Sequence, residues 1–241
     1  MLLQADAKQL EWVGASYLSQ DSLAISEIWD EVDQHADNQL RFGLPSRLIA
    51  KTFVFRLIYG GSAYSYAMDP NFKDIGDEKF WQKVIDQFYN KYEGLHLWHD
   101  TIVKTAMRDR QLVMPTGRVY KYEPKISYGK VKWPRTKILN YPVQGLGADL
   151  MAIARVSLRN RLKKYNKLDL KLINTVHDSI IIDFDNLKID PQELVNLVDA
   201  CFNDVPKNFQ KLFGKEFNLP MRVECEIGMD WKNMEKIKAI N

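Results

Sequence analysis

Two aspartates that follow apolar runs are the first residues of this sequence that could do chemistry. Asp6 ends a short apolar segment at the start of the chain, and Asp178 stands in a polar break between the runs LKLINTV and IIIDF. One such Asp is usually a turn former, but two on neighbouring strands bring free carboxylate oxygens together. Hard divalent cations prefer oxygen ligands, and two Mg²⁺ ions roughly 4 Å apart can assist phosphoryl transfer.

Four more side chains of interest recur at every fourth position of the segment RLIAKTFVFRLIYG. They are two cations, Arg47 and Lys51, followed by two aromatic residues, Phe55 and Tyr59. On a helix with about 100° per residue, steps of four drift by only ~40°, so the four form one slowly winding stripe. An ordinary amphipathic helix has the same period. Such a stripe can also bind triphosphate oxygens at one end and stack a base or sugar at the other.

The elements that position these residues are predicted from apolar periodicity and turn signals. The helix signal is clearest at 45–59, which begins near Pro45-Ser46 and stops at Gly60-Gly61. The run 168–184 indicates a β-hairpin with Asp178 at its tip. Further helices are predicted over 8–18, 22–32, 79–110, 148–165 and 191–213, with 79–110 forming one or two helices. Further strands are predicted over 2–6 and over 221–231, which would be the last strand. A hairpin or turn is predicted around Thr116-Gly117.

The order of these elements favours an α+β fold. It consists of an antiparallel sheet with helices on one side and a helical insertion in the middle of the chain. No internal repeat, low-complexity tract or Gly-, Ser- or Pro-rich linker divides the 241 residues.

The composition is that of an ordinary globular protein, with 46% hydrophobic and 27% charged residues. No apolar run approaches the length that crosses a bilayer, and the first residues lack the basic flank and apolar core of a signal peptide. We therefore expect an intracellular, cytoplasmic protein without a membrane partner. In that compartment Cys201 and Cys225 are expected to be reduced core thiols.

The net charge of +3 neither demands nor excludes a polyanionic partner, so local clustering of charge matters more. One basic cluster covers Lys121–Lys137, with Tyr122, Tyr128 and Trp133 interleaved, and a second covers Arg159–Lys167. Each cluster is more often a solvated surface than a binding site.

The stripe and the two aspartates resemble motifs of one enzyme family. The pattern R-x3-K-x3-F-x3-YG, from Arg47 to Gly60, is similar to the motif B helix of the family A DNA polymerases, the family of bacterial DNA polymerase I. The pattern D-x2-Q-L-E, from Asp6 to Glu11, looks like motif A of that family. The triplet V-H-D at Val176–Asp178, between two apolar runs, looks like motif C.

Two weaker matches complete the set. Asn140 and Gln144, within NYPVQGLGAD, resemble the segment that leads into the long palm helix, and D-x-H at Asp33–His35 resembles the fingers motif before the motif B helix. All five matches occur in the family's order, at family-like separations, and reach to around Trp231. The ordered set is therefore much more specific than any single motif, and it implies palm segments at 1–30 and 136–241 around fingers at 31–135.

The resemblance implies a DNA-directed DNA polymerase that adds dNTPs to the 3′ end of a primer on template DNA, with two Mg²⁺ ions. Asp6 and Asp178 would be the catalytic, metal-binding carboxylates. The resemblance implies seven nucleotide-binding residues. Arg47, Lys51 and His35 would contact the triphosphate, and Phe55 would lie near the sugar. Tyr59 would form the base of the templating pocket, Glu11 would be a steric gate against a ribose 2′-hydroxyl, and Gln9 would also contact the nucleotide. The implied primer–template contacts are Asn140, Gln144, His177 and Arg118, and the basic cluster at Lys121–Lys137 would lie along a nucleic-acid backbone.

Three positions depart from the family pattern. Ala7-Lys8 replaces the Tyr-Ser that usually follows the motif A aspartate, and Trp12 replaces an Arg shortly after the gate Glu. Ser179 stands where a carboxylate often follows the motif C aspartate. These departures affect details at the primer and around the metal ions, whereas the reaction class implied by the resemblance is unchanged.

Motif A begins at residue 6, whereas the family places a thumb, the first palm strands and commonly an exonuclease-like domain before it. Either the sequence is a fragment of such a protein, or a second polypeptide supplies these parts, as in a split polymerase, and we expect the second polypeptide. The palm sheet of this chain would then expose an edge, which proteins usually cover.

Two other functions compete with the polymerase interpretation. A relative of the single-subunit RNA polymerases would share the motif B chemistry, but Glu11 and Phe55 argue against it. A non-catalytic subunit that binds primer–template or assists assembly would keep the fold. The presence of Asp6, Asp178 and the Arg47–Lys51 pair argues against that function, because a binding module needs no metal pair together with a triphosphate clamp.

Overall fold

The computed structural model describes residues 1–165 and 169–240, and its main sheet has five antiparallel strands. The predicted α+β class is confirmed. The first residue of the predicted run 168–184 and the last two residues of the cluster Arg159–Lys167 lie outside the described residues. The strands of this sheet are β1 (Leu2–Ala7), β6 (Leu170–Val176), β7 (Ser179–Phe184), β8 (Val223–Gly228) and β9 (Met234–Ile237), in the order β6-β7-β1-β8-β9.

Strand β1 is the central strand of this sheet, and its side chains alternate between two faces. Leu3, Ala5 and Ala7 are buried, whereas Gln4 and Asp6 lie on the other face and are half-buried. This period of two is what a half-buried strand requires. The edges of the sheet are β6 and β9, so the motif A strand is paired on both sides.

The hairpin predicted around Asp178 is confirmed. Strands β6 and β7 pair in antiparallel register from Leu170 opposite Phe184 to Val176 opposite Ser179, with His177 and Asp178 as the two turn residues. His177 has a φ of 51°, in the left-handed region. Positive φ is common in two-residue hairpin turns because it matches the twist of the strands.

Ten α-helices are assigned within the described residues, and every predicted helical segment overlaps at least one of them. The predicted segment 79–110 is occupied by two helices. The helices are α1 (Leu10–Ser19), α2 (Ser22–Trp29), α3 (Gln34–Phe42), α4 (Arg47–Ile58), α5 (Ala63–Ala67), α6 (Glu78–Lys91), α7 (Glu93–Asp109), α8 (Arg135–Leu162), α9 (Pro191–Asn203) and α10 (Val205–Phe213).

Helix α4 follows directly from its local sequence. The Ser46 side chain accepts a hydrogen bond from the backbone N–H of Ile49 and caps the first turn. The helix ends before Gly60, which adopts a φ of 86° that costs glycine little. One face, which includes Phe53 and Leu57, is fully buried, and the opposite face is left for the stripe of cations and rings.

Helix α8 begins earlier than predicted. It starts at Arg135 rather than near residue 148 and includes Pro142 in its interior. Proline lacks the N–H of one helical hydrogen bond but does not end this helix. Asn140 and Gln144 therefore lie one turn apart on α8 itself, which corrects the prediction that they precede the long helix.

Several elements were not predicted. Helix α3 has clear signals in the sequence, since Asp33 caps its start and Gly43 ends it in the left-handed region, but it was not recognised. Strand β9 follows β8, so 221–231 does not hold the last strand. Two small antiparallel ribbons complete the fold. The first pairs β2 (Gln111–Val113) with β3 (Val119–Lys121) and confirms the predicted hairpin near Thr116-Gly117. The second pairs β4 (Lys125–Ser127) with β5 (Lys130–Lys132) and was not predicted.

The chain divides into two compact units, residues 1–10 with 146–241 and residues 11–145. In the first, the sheet residues Ile180 and Ile182 are fully buried, and Cys201 and Cys225 are free and buried. In the second, aromatic rings pack edge to face or stacked around Phe53 and Trp81. No helix in 1–165 or 169–240 is both long and apolar enough to cross a membrane.

Candidate active site

The two predicted metal-binding aspartates lie at the same end of the sheet. Asp6 is directly opposite Ser179 in the pairing of β1 with β7, and Asp178 is the residue just before Ser179. The backbone N–H of Ala7 donates to the carbonyl oxygen of Asp178, with 2.9 Å between the atoms. The sheet register thus places both carboxylates on adjoining strand ends, as the sequence predicted.

The Asp6 carboxylate is held by two neighbours. The Ser179 hydroxyl donates to Asp6 Oδ1, and the Gln4 amide donates to Asp6 Oδ2 at 2.8 Å. Ser179, one of the positions that depart from the family pattern, is therefore an orienting donor to the Asp6 carboxylate. The sequence identified this substitution as a departure but could not identify its contact.

Glu224 is a third acid at this sheet end that sequence reasoning missed. It lies opposite Asp6 on the other flanking strand, β8. Its carboxylate forms ion pairs with Lys8 at 3.7 Å and Lys236 at 3.4 Å, so its charge is largely balanced. Lys8, a departure from the family pattern, thus has a partner here, while Ala7 is buried where a larger side chain would not fit without rearrangement.

The donor set at this sheet end suits a hard divalent cation. Mg²⁺ is commonly bound by one or two carboxylates, with phosphate and water oxygens as its remaining ligands. No group of three or more His, Cys, Asp or Glu side chains suited to a metal occurs in 1–165 or 169–240. Asp6 and Asp178 are two carboxylates at one sheet end, the number that commonly binds Mg²⁺ together with other oxygen ligands.

A second group of candidate residues lies on α3 and α4. Arg47 Nε donates to both carboxylate oxygens of Asp33, at 2.8 and 3.1 Å. This hydrogen bond lowers the pKa of Asp33, although burial opposes it. Only Nε is used in these contacts, so the hydrogen bonds to Asp33 leave the donors on the terminal guanidinium nitrogens of Arg47 unused.

His35 is buried beside this ion pair. Its ring lies 5.9 Å from the Phe55 ring between centroids, and its Nδ1 has no hydrogen-bond partner among the described residues. Burial, with help from the charges of Arg47 and Lys51, lowers the pKa of His35 to about 4. At neutral pH His35 is therefore uncharged, so its ring can donate a hydrogen bond but cannot act as a cation.

Lys51 completes this group. Its ammonium lies 5.7 Å from the centre of the Phe55 ring, while the side chain is exposed to solvent. The structure therefore brings together His35, Arg47, Lys51 and Phe55, the four residues predicted to contact the triphosphate and sugar.

Tyr59 ends α4 and has a different environment. Burial, together with the Glu11 carboxylate, raises the pKa of Tyr59 to about 12. Glu11 and Gln144 are thus both near enough to the Tyr59 phenol to affect its pKa, which Glu11 raises and Gln144 lowers. A pocket of about 550 Å³ lies beside Tyr59, lined also by Arg56, Gly60, Gly61, Ser62, Ser65 and Thr136.

The start of α8 carries the predicted primer–template residues of the second unit. Asn140 Oδ1 is buried without a hydrogen-bond partner among the described residues, and Gln144 is exposed one turn further on. A Cβ at Gly145 would overlap the Tyr120 hydroxyl and would lie 3.5 Å from Arg118 Cδ. Arg118 therefore lies beside the same stretch of helix, and residue 145 must be glycine for Tyr120 to approach it.

The structure leaves two predicted residues in turns of the first unit. Gln9, with a φ of 53°, is exposed between β1 and α1. His177 is exposed at the tip of the β6–β7 hairpin beside Asp178. Within 1–165 and 169–240 neither side chain has a hydrogen bond or ion pair that bears on its predicted role, so these two roles, like those of the other site residues, stay predictions.

A buried ion network behind α3 was missed by sequence reasoning. Lys91, whose side chain is 4% exposed, forms ion pairs with Glu27 at 2.9 Å and Asp37 at 2.8 Å. It also donates to Asn38 Oδ1 at 3.1 Å, while the Tyr92 hydroxyl donates to Glu27 at 2.7 Å. The network joins α2, α3 and α6 and so fixes the helix that carries His35; only the spatial packing could reveal it.

Comparison with known proteins gives a consistent result. The sequence model of DNA polymerase family A matches residues 1–233. The chain is 26% identical to DNA polymerase I of Chloroflexus aurantiacus over 97% of its length and 28% identical to the thermostable DNA polymerase I of Thermus filiformis over 96%. It covers 24% and 27% of these proteins, so it spans about a quarter of the relatives' length.

The fold has a close counterpart among solved structures. A structure described as the POL domain of Pol1 from M. smegmatis, in complex with DNA primer-template and dNTP, superposes with a TM-score of 0.76 at 20% identity. The match covers 95% of this chain and 40% of that one. With the family's sequence model matched over almost every residue and the strand-end aspartates and α4 stripe in the family's order, the chain belongs to DNA polymerase family A.

Proposed function

We propose that this chain is the catalytic part of a DNA-directed DNA polymerase and adds dNTPs to the 3′ end of a primer paired with a template. The observation that carries the proposal is the group of Arg47, Lys51, His35 and Phe55 on α3 and α4. A triphosphate is the ligand that best fits two cations, a neutral imidazole and an apolar ring on one surface.

Each member of this group has a specific task in the proposal. Arg47, oriented by Asp33 through Nε, binds phosphate oxygens with its terminal nitrogens. Lys51 contributes a mobile point charge, and neutral His35 donates a hydrogen bond. Phe55 packs against the sugar, since its ring is half-buried between His35 and Lys51.

The carboxylate end of the sheet supplies the second part of the proposal. Asp6 and Asp178 would hold two Mg²⁺ ions, with Ser179 and Gln4 fixing the orientation of Asp6. When bound, such ions neutralise the charge that develops on the transferring phosphoryl group. Glu224 is balanced by two lysines and therefore contributes little net charge.

Selection of the nucleotide is assigned to the neighbours of Tyr59. Glu11 would crowd a ribose 2′-hydroxyl, and Tyr59 would form the base of a pocket for the templating base, for which the adjoining 550 Å³ pocket has sufficient room. Asn140, Gln144 and Arg118, which lie on or beside the start of α8, would contact the primer–template.

Membership of a DNA polymerase family argues against the relative of single-subunit RNA polymerases. The alternative that stays open is a non-catalytic primer–template binding or assembly subunit. The matched region is about a quarter of the relatives' length, and we propose that a further polypeptide with thumb and remaining palm sequence strengthens the grip on the duplex.

Primer extension by the purified chain tests the proposal, alone and with candidate polypeptides that carry thumb sequence. Asp178→Asn should abolish extension and leave primer–template binding, measured by fluorescence anisotropy, nearly intact. Asp183→Asn, an exposed acid on the same hairpin, is the matched control and should extend normally. Extension by Asp178→Asn at the unmodified rate would reject the metal assignment, and binding without extension in every combination would favour the non-catalytic subunit.

A further inference from the structure

The ribbon of β4 and β5 has two chemically different faces. Lys125 is directly opposite Lys132 and Ser127 is opposite Lys130, so the three lysines share one face. Ile126 and Val131 are opposite each other on the other face. Alternate residues of a strand point to opposite sides, so a ribbon of only six paired residues separates a basic surface from an apolar one.

The basic face is unpaired and stands in a strongly basic part of the chain. Residues 118–137 contain seven basic residues and one acidic residue, Glu123, whereas the whole chain has a net charge of only +3. All three ribbon lysines are exposed, and none forms an ion pair with a residue in the described ranges. Uncompensated like charges on one face repel each other, and a polyanion relieves that repulsion.

The tip of the ribbon carries a fully exposed aromatic ring. Tyr128 is 99% exposed and is followed by Gly129, and both turn residues have positive φ, 51° and 72°. This is the turn geometry for which Asn-Gly is preferred, because a bulky side chain is strained there. Tyr128 therefore gains nothing from burial within the chain and carries a backbone cost, so its ring is explained best by a contact outside the chain.

We propose that the β4–β5 ribbon is a binding arm for single-stranded nucleic acid. Lysines on one face follow the phosphate backbone, and Tyr128 stacks on an unpaired base; proteins that bind single strands without sequence preference combine these two features. The ribbon has no Arg, Asn or Gln, the residues that read base edges most specifically, so the binding is independent of sequence. A duplex presents phosphates but hides its base faces, which favours the single strand as the partner of Tyr128.

This inference rests on the proposed function only in taking nucleic acid as the ligand of the chain. Its test measures binding of a fluorescent dT20 oligonucleotide to the full chain by anisotropy over a range of salt concentrations, without dNTPs. The variant Lys125→Gln/Lys130→Gln/Lys132→Gln should reduce the slope of log affinity against log salt concentration by about 2, since each phosphate neutralised on a single strand contributes about 0.7.

A second variant tests the ring separately from the charges. Tyr128→Asn creates the preferred Asn-Gly turn, so the ribbon is kept while the ring is removed. It should weaken binding to dT20 by about tenfold, in line with the loss of one stacked base. The loss should disappear with an abasic oligonucleotide of the same length and with a 20-base-pair duplex.

The apolar face provides the matched control. Ile126→Thr/Val131→Thr keeps β-branched residues in the ribbon and should leave dT20 affinity unchanged. An unchanged salt slope in the lysine variant would overturn the inference. An equal loss of dT20 affinity in the threonine variant would also overturn it, because binding would then not depend on the lysine face. Equal weakening of duplex and abasic binding by Tyr128→Asn would also overturn it.

The outcomes separate this inference from the proposed function. Suppose that the lysine variant shows the expected smaller salt slope, but the unmodified chain extends no primer under any condition. The polymerase proposal then fails and the binding arm stands. If the chain extends primers and the ribbon variants bind dT20 as the unmodified chain does, the binding arm fails alone.

Discussion

The Ser179 hydroxyl donates a hydrogen bond to Asp6 Oδ1 across the β1–β7 pair. Ser179→Ala should therefore reduce primer extension by about tenfold, because a hydrogen bond to a charged group contributes about 1.5–3 kcal/mol. The Mg²⁺ concentration for half-maximal extension should rise, since Asp6 loses its orienting donor. Ser179→Thr keeps the hydroxyl and should retain most activity; equal loss in both variants would argue for packing alone.

The gate is tested at Glu11. Its carboxylate lies close enough to Tyr59 to raise the pKa of that phenol, and Tyr59 belongs to the proposed nucleotide site. Glu11→Ala should raise the use of ribonucleotides relative to deoxyribonucleotides by at least about tenfold in a competition assay, because a blocking side chain is removed. Glu11→Gln keeps the volume and should keep the discrimination, and an unchanged ratio in Glu11→Ala would remove Glu11 from this role.

Phe55 makes a sharper prediction about sugar selection. The Phe ring beside His35 and Lys51 has no hydroxyl that could replace the missing 3′-hydroxyl of a dideoxynucleotide. The native chain should therefore discriminate strongly against dideoxynucleotides, and Phe55→Tyr should relax this preference. Chain-termination frequency at fixed dNTP:ddNTP ratios measures the effect, and Phe53→Tyr, on the buried face of the same helix, serves as the control.

The buried network around Lys91 predicts a coupling between stability and nucleotide use. Lys91→Met leaves the half-buried Glu27 without its cation and should lower the unfolding free energy by about 3 kcal/mol. Lys91→Met/Glu27→Gln should recover much of this loss, because the more buried carboxylate is then neutral and the more exposed Asp37 keeps its ion pair with Arg41 at 3.6 Å. Because α3 carries His35, the single variant Lys91→Met should raise the KM for dNTP by a larger factor than it lowers kcat. Urea unfolding measures the loss of stability, and steady-state kinetics measure the change in nucleotide use.

The two buried histidines predict how stability depends on pH. Burial lowers the pKa of His35 to about 4 and that of His99 to about 3, from an ordinary value near 6.5. Both histidines are therefore neutral in the folded chain at neutral pH, and folding excludes a proton that the unfolded chain binds below pH 6.5. Stability should be full above pH 6.5 and should fall as the pH drops through 6 and 5, by up to about 1.4 kcal/mol per pH unit for each histidine.

Urea unfolding measured at pH values from 7.5 to 5 checks this pH dependence of stability. That range lies above the pH at which most carboxylates titrate. His99→Gln should roughly halve the dependence on pH, whatever its effect on stability at pH 7.5. His96→Gln, an exposed neighbour on α7, should leave it nearly unchanged. A slope that is the same in all three proteins would contradict the assignment of buried neutral histidines.

Much of the fold could be predicted because it is written in local patterns. The period of four that places Arg47, Lys51, Phe55 and Tyr59 on one stripe follows from helix geometry, and Ser46 and Gly60 mark its ends. The hairpin at Asp178 follows from two apolar runs around a polar pair. The capping signals of α3 were present in the sequence but were overlooked, and the start of α8 was misplaced because its interior holds Pro142.

The sequence by itself determined which residues could do chemistry and the elements that carry them, because periodicity and capping act over only a few positions. The tertiary structure alone decided their partners. Strand register set Ser179 beside Asp6, the packing of α3 on α4 set Asp33 against Arg47, and the network at Lys91 joined three helices. These contacts link residues far apart in sequence, and burial rather than residue type makes His35 a neutral donor.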